Sequence, residues 1–128
     1  MDRQSSLISI VEDDPSVRRA LGRMIETLGF KVKLFASASD YLNESHPDPT
    51  CLILDVVMPV MNGFELLVEL KETHRSVPTV VISAHDDQAY LEKARSLGVN
   101  AYLLKPCDEI ALLDAIEKSL ASNDAPRS

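Results

Sequence analysis

The sequence predicts an α/β fold, a doubly wound (βα)5 unit with five parallel strands and helices on both faces of the sheet. Three observations carry that prediction. Five short apolar runs, mostly continuous and rich in Val, Ile and Leu, have the composition of strands covered on both faces, as in parallel sheets. Helical periodicity fills the intervals between them. Polar residues gather where the first, third, fourth and fifth runs end, and ligands of such sheets sit beyond the carboxyl ends of the strands.

The first strand is "LISIV" (7–11), ended by Glu12-Asp13-Asp14. The first helix follows from Val17, Ala20, Leu21, Met24, Ile25 and Leu28, an amphipathic stripe, with Pro15 suited to its first turn and Gly29 to its end. "KVKLF" (31–35) alternates lysine with apolar residues, the pattern of an edge strand with one wet face. A short helix starts after Ser37, with Asp40 three residues on. "CLILDVV" (51–57) is the third strand, ended by Asp55; Asn62 and Glu65 then repeat the box-like spacing ahead of "FELLVELKET". "PTVVIS" (78–83) ends in Ser83-Ala84-His85, and a fourth helix runs from Asp86-Asp87 to Gly98. "AYLL" (101–104) ends in Lys105-Pro106, and a fifth helix begins near Asp108 with Ile110, Leu113, Ile116 and Leu120 on one face. The whole chain, 1–128, reads as one domain with a core of about 6–120, and "ASNDAPRS" (121–128) as a frayed tail or the start of a linker.

Composition excludes several classes of function. A net charge of −7 is wrong for a nucleic-acid surface, which relies on Lys and Arg against phosphate. The apolar runs are far shorter than the roughly 20 residues that span a bilayer, and "MDRQSS" lacks a secretory apolar segment, so a soluble cytoplasmic protein with no membrane partner is expected. Cys51 and Cys107 fall at opposite ends of the predicted sheet, separated by about 13 Å of strand, beyond disulfide reach, and both read as packing residues. His46 and His74 fall in loop or helix-end positions and read as solvent-facing.

The strand-end residues are the informative ones. An acidic pair after strand one, "LDVVMPVMNG" with Asp55 closing strand three, Ser83-Ala84 after strand four and "YLLKP" with Lys105-Pro106 stand in that order. A lone D-x-x-M-P is weak, but the ordered set is specific, and over about residues 6–120 it resembles the chemotaxis-regulator-like receiver domain of bacterial two-component response regulators. The resemblance implies a flavodoxin-like sheet of order 2-1-3-4-5. It implies that Asp55 accepts a phosphoryl group from a sensor histidine kinase or phosphotransfer protein. It implies self-catalysed, metal-dependent phosphorylation and dephosphorylation in place of turnover of a separate substrate, and a surface that switches, with a homodimer on activation among the outcomes such domains show.

With Asp55 set among these acids, Glu12, Asp13 and Asp55 carry three negative charges against the one positive charge of Lys105, and that imbalance predicts a divalent cation. Carboxylates and carbonyls are hard oxygen ligands suited to Mg²⁺ or Mn²⁺, and no His or Cys set points to zinc. By resemblance the ligands are Asp13, Asp55 and the backbone carbonyl of Val57, with Glu12 acting through water. Asp14 reads as a solvated residue or helix cap; Asp13-Asp14 as the pair is the competing frame. Ser83, the Ala84 N–H and Lys105 would bind the phosphoryl oxygens, Ser83 and Tyr102 would switch, and Val57 and His85 would tune the phosphoryl lifetime. For His85, orienting a water and bonding nearby acids stay open as alternatives. Lys105-Pro106 is cis in relatives, and Cys107 stands where relatives often carry Phe.

Two other classes compete. A haloacid-dehalogenase-type phosphatase also uses a strand-end Asp, Mg²⁺, Ser/Thr and Lys, but it needs a second Asp two residues on, where this chain has Val57. A pseudo-receiver would bind partners without phosphorylation, against which Asp13, Asp55, Ser83 and Lys105 all stand. Which kinase, stimulus or output belongs to the chain is not written in these residues.

Overall fold

The computed structural model describes residues 5–58 and 60–124. Strands and helices alternate through the chain: β1 (Leu7–Val11), α1 (Pro15–Thr27), β2 (Lys31–Phe35), α2 (Ala38–Asn43), β3 (Cys51–Asp55), α3 (Gly63–Glu72), β4 (Thr79–Ser83), α4 (Gln88–Ser96), β5 (Ala101–Leu104) and α5 (Glu109–Asp124). All pairings are parallel, in the order β2-β1-β3-β4-β5 expected for a flavodoxin-like sheet. The strand order reverses between β1 and β3, so the switch point opens beyond Val11 and Asp55.

The period of two along each strand divides the core between two layers. Ile8 and Ile10 of β1, Cys51 and Ile53 of β3, and Val80 and Ile82 of β4 pack with Leu21 and Ile25 of α1 and with Leu112, Ala115 and Ile116 of α5. Val11, Leu52 and Leu54 project the other way, onto Tyr41 of α2 and Leu66, Leu67 and Leu70 of α3. Every residue of β3 and β4 is buried. β2 is the wet edge that its lysines predict, with Lys31, Lys33 and Leu34 exposed.

The helix ends follow their local chemistry. Asp14 caps α1, its carboxylate accepting from Ser16 N–H at 2.9 Å and Val17 N–H at 3.3 Å, with Pro15 opening the helix. Ser37 caps α2 through Asp40 N–H. Asn62 and Glu65 form a reciprocal capping box on α3. Gly29 takes φ +100° where α1 must stop, a conformation that costs other residues a clash at Cβ.

Three expectations need correction. Ile110 is 82% exposed, because the buried stripe of α5 runs instead through Leu112, Ala115, Ile116, Ser119 and Leu120; only from Leu112 onward does the helix lie over the sheet. Residues 121–124 continue α5 and are not a tail; residues 1–4 and 125–128 and Pro59 of the D-x-x-M-P motif lie outside the described residues. His46 faces solvent only in part: its ring lies against Phe35 and Tyr41, and its two nitrogens sit 2.9 and 2.8 Å from the carbonyls of Pro47 and Tyr41. Apolar ring surface at the end of β2 offers it more than water does. His74 is exposed, at φ +59° just past α3.

Among the described residues one buried side-chain polar atom is left over. Ser9 is fully buried in the middle of β1, and among the described residues its hydroxyl has no hydrogen-bond partner. A desolvated, unpaired hydroxyl costs roughly 1–3 kcal/mol. Ser9→Ala is therefore expected to raise the unfolding free energy by about 1 kcal/mol in a denaturant titration, with the slope unchanged; a loss of stability would mean that the hydroxyl has a partner in solution.

Candidate functional site

Strand register assembles the site. Val11 pairs with Leu54, so the residues that follow them, Glu12 and Asp55, stand level at the ends of adjacent strands. Glu12 N–H donates to the Phe35 carbonyl at 3.1 Å, extending the ladder one residue past β1. Ser83 pairs with Leu104, and Lys105 N–H donates to the Ser83 carbonyl at 2.8 Å, which aligns the end of β5 with the end of β4. The Lys105–Pro106 peptide bond is cis. Gly63 closes the loop after β3: its N–H donates to the Val56 carbonyl at 2.8 Å, and a Cβ there would lie 2.6 Å from the Asp55 carbonyl oxygen. Only glycine lets α3 start so close to the strand end that carries Asp55.

One carboxylate oxygen from each of Glu12, Asp13 and Asp55 lies within 4.8 Å of the others. At that separation two unit charges repel by roughly 3 kcal/mol at the effective dielectric of a protein surface. Lys105 offsets part of this, its Nζ standing 2.7 Å from Glu12 Oε1 and 3.0 Å from Asp55 Oδ2. The remaining oxygens are partly engaged: Asp55 Oδ1 accepts from Val57 N–H at 3.2 Å and Glu12 Oε2 from Asp14 N–H at 3.2 Å. Glu12 and Asp55 are buried, whereas Asp13 opens to solvent.

The electrostatics follow that arrangement. Desolvation, then the hydrogen bond and charge of Glu12, hold the Asp13 carboxyl above the usual carboxylate range, with Lys105 pulling the other way. Burial acts to lower the Lys105 pKa, but hydrogen bonds and charge from Glu12 and Asp55 outweigh it and the net direction is up. A raised lysine pKa means its contribution to stability is complete below the ordinary lysine range and lost only at more alkaline pH. At neutral pH Lys105 therefore remains an ammonium beside the three acids. The donor set, hard oxygens with uncompensated charge and one solvent-open member, suits a small divalent cation that retains water ligands.

A second set of contacts lies on the β4 side. Ser83 is fully buried, and its hydroxyl oxygen accepts from His85 N–H at 3.0 Å. Tyr102 donates its hydroxyl to the His85 carbonyl at 2.7 Å, and its own pKa is raised, first by desolvation. The His85 ring stacks on Tyr90 of α4, centroids 4.7 Å apart and planes at 20°, and Phe64 of α3 borders Tyr90 at 5.8 Å. Among the described residues the His85 ring bonds no carboxylate. The structure thus brings Glu12, Asp13, Asp55 and Lys105 together, and leaves the Ser83 hydroxyl turned to the following loop. Ala84 and the Val57 side chain border the site, exposed.

Sequence reasoning missed Arg18, whose Nη1 donates to the Glu12 carbonyl at 2.8 Å and lies 3.5 Å from the Asp13 carbonyl. The available signal was its place one turn into α1, because helical side chains tilt toward the N-terminus and so toward the acids. The stack of Tyr90 on His85 also leaves no sign in the sequence. Both cysteines are free. Burial pushes the Cys51 thiol up to about 12, and Cys107 lines an apolar hollow with Val17, Ala20, Leu21 and Met24 of α1.

Comparison with known proteins agrees with this geometry. The family model for the response regulator receiver domain matches residues 8–117. The chain is similar to response regulator protein TodT of Pseudomonas putida, 37% identical over all of this chain and 57% of TodT. It is also similar to transcriptional regulatory protein FixJ of Azorhizobium caulinodans, 33% identical over 91% of this chain and 56% of FixJ. The chain thus spans little more than half the length of these relatives. Among solved structures, FixJ-N superposes with a TM-score of 0.83 at 32% identity, covering 98% of this chain and 99% of that one. CheY4 of Vibrio cholerae shares the fold with a TM-score of 0.83 at 22% identity, covering 90% and 98%. No helix among the described residues is long and apolar enough to cross a membrane.

The raised Asp13 pKa has a sign that can be checked. The native state holds this proton more tightly than the unfolded chain does, so stability falls as pH rises through the Asp13 range and the full penalty is present at neutral pH. Without metal, Asp13→Asn is expected to melt higher than wild type at pH 7, the gap closing as pH falls toward the carboxylate range. Asp14→Ala, which removes a helix cap, is expected to lose about 1 kcal/mol. Thermal melts in chelator decide the matter, and a lower melting point for Asp13→Asn would contradict the electrostatic reading.

Proposed function

Because the chain belongs to the response regulator receiver family, we propose that it is a phosphorylatable receiver of two-component signalling in which Asp55 accepts a phosphoryl group from a histidine kinase or phosphotransfer partner. The single observation that supports this most is Asp55 itself: a strand-end carboxylate, buried, with Lys105 at 3.0 Å and two further carboxylates close by. We read the whole chain, 1–128, as one such domain, with a core of about 6–120.

Phosphoryl transfer asks a protein mostly for positioning and charge neutralisation. An oxygen of Asp55 attacks phosphorus in line with the bond to the donor's imidazole; that bond breaks, and the imidazole leaves with its electron pair and takes up a proton. Lys105 supplies a point charge to one phosphoryl oxygen, for which its bridge to Asp55 must loosen. Ser83, by rotating its hydroxyl from the His85 N–H, donates to another, and the Ala84 N–H lies on the same side. Glu12, Asp13, Asp55 and the Val57 carbonyl are the groups that would hold Mg²⁺ or Mn²⁺, and Glu12, already bonded to Lys105, would act through a water. The metal, when bound, neutralises charge on the carboxylates and phosphoryl oxygens. Val57 offers no polar side-chain group to orient an attacking water. With His85 stacked on Tyr90, neither position beside the phosphoryl group favours rapid hydrolysis.

Movement of Ser83 toward the phosphoryl group draws on the His85 N–H and so on the loop into α4, to which Tyr102 is also tied. The phosphoryl group biases a two-state surface through contacts it makes in only one state. That surface of α4, β5 and α5 is where an output partner, or a second copy on activation, would read the signal.

The test is mass measurement after treatment with acetyl phosphate, with and without Mg²⁺. Wild type is expected to gain one phosphoryl group, labile to base and hydroxylamine, only with the metal, and Asp55→Asn none. Equal labelling of the substituted protein would remove Asp55 as the acceptor.

A further inference from the structure

Arg18 stands at the fourth position of α1, within its first turn. A cation there is locally unfavourable, because the helix dipole places partial positive charge at that end and prefers acids. No residue of that turn is acidic. The arginine nevertheless folds back, and its Nη1 meets two successive main-chain carbonyls, Glu12 at 2.8 Å and Asp13 at 3.5 Å. Among the described residues it pairs with no carboxylate; the cation that lowers the Asp13 pKa is Lys105. Its engagement is therefore with the backbone of the acid loop, not with its charges.

These two carbonyls belong to the residues that hold the Glu12 and Asp13 carboxylates in place. Glu12 is pinned at its N–H by the Phe35 carbonyl and at its side chain by Lys105, whereas Asp13 is exposed, its carboxyl meets that of Glu12, and among the described residues no cation bridges it. We propose that Arg18 is a positioning residue of the divalent-cation site, holding the Glu12-Asp13 backbone so that both carboxylates converge on Asp55. This inference rests on the reading of the acid cluster as a Mg²⁺ site.

Charge and positioning predict opposite signs, which makes the inference decidable. By charge alone, removing a positive group near a divalent cation tightens metal binding, more so at low salt. By positioning, removing the clamp weakens it, and loss of the group that orients a metal ligand commonly costs about tenfold or more in affinity. Arg18→Met keeps the apolar stem and removes both charge and donors; Arg18→Lys keeps the charge and one donor group.

The experiment titrates Mg²⁺ into wild type, Arg18→Met, Arg18→Lys and Asp13→Ala, followed by amide NMR shifts. The metal-free amide exchange of Asp14, whose N–H is bonded to Glu12, is measured alongside. Expected are saturable binding in wild type, roughly tenfold weaker binding in Arg18→Met, partial recovery in Arg18→Lys, and several-fold faster Asp14 exchange in Arg18→Met without metal. Binding as tight as wild type, or tighter, in Arg18→Met overturns the positioning role while leaving the metal site intact. Absence of saturable binding in wild type, or binding unaffected by Asp13→Ala, sinks the metal reading instead. The exchange rate then still decides whether Arg18 holds the loop, and an unchanged rate says that it does not.

Discussion

The Lys105 ammonium, held between Glu12 and Asp55, is the contact on which the site depends. It ties the end of β5 to the ends of β1 and β3, across the β4 strand that lies between β3 and β5. Without it the acids at the switch point would face one another with no ion-pair partner among the described residues. With it the cluster remains under-neutralised, so the folded apo protein carries an electrostatic cost at Asp13 that a cation or a proton relieves. Structure and chemistry are coupled here: the register that builds the sheet also creates the repulsion that a divalent cation would answer.

The supports around this contact are mostly backbone. Gly63 admits α3 against the Asp55 carbonyl, Asp14 starts α1 immediately after the acid pair, and Val57 N–H meets Asp55 Oδ1. The N–H groups of Asp14 and Val57 bond the Glu12 and Asp55 carboxylates, and any side chain at Gly63 would meet the Asp55 carbonyl. On the other side, Ser83, His85, Tyr102 and Tyr90 form a separate chain of contacts leading to α4, a helix with only Ala94 fully buried. A weakly anchored helix next to a tightly registered sheet end is the element that a local change can most easily displace.

Much of this was legible in the residues. The alternation of strands and helices, the helix caps at Asp14, Ser37 and Asn62, and the convergence of Glu12, Asp13, Asp55 and Lys105 follow from period, capping chemistry and the placing of polar residues at strand ends, whereas the strand order comes only from the family resemblance. What was not legible depends on side-chain direction. Ile110 has the right spacing for a core stripe but precedes the point where α5 meets the sheet. His46 looks like a loop residue until Phe35 and Tyr41 provide a surface for its ring. Arg18 reads as one of many surface cations, and the Ser83 hydroxyl direction depends on a loop whose path no periodicity describes.

The most direct measurement of the central claim, that Asp55 and its acid neighbours form a cation-dependent phosphoryl site, is amide NMR on adding beryllium fluoride with and without Mg²⁺. The account predicts an adduct only with Mg²⁺, with shifts at Glu12, Asp13, Asp55 and Lys105 that extend through residues 84–104 to Tyr102. An adduct that forms equally without Mg²⁺, or shifts that miss Asp55 and Lys105, would contradict it.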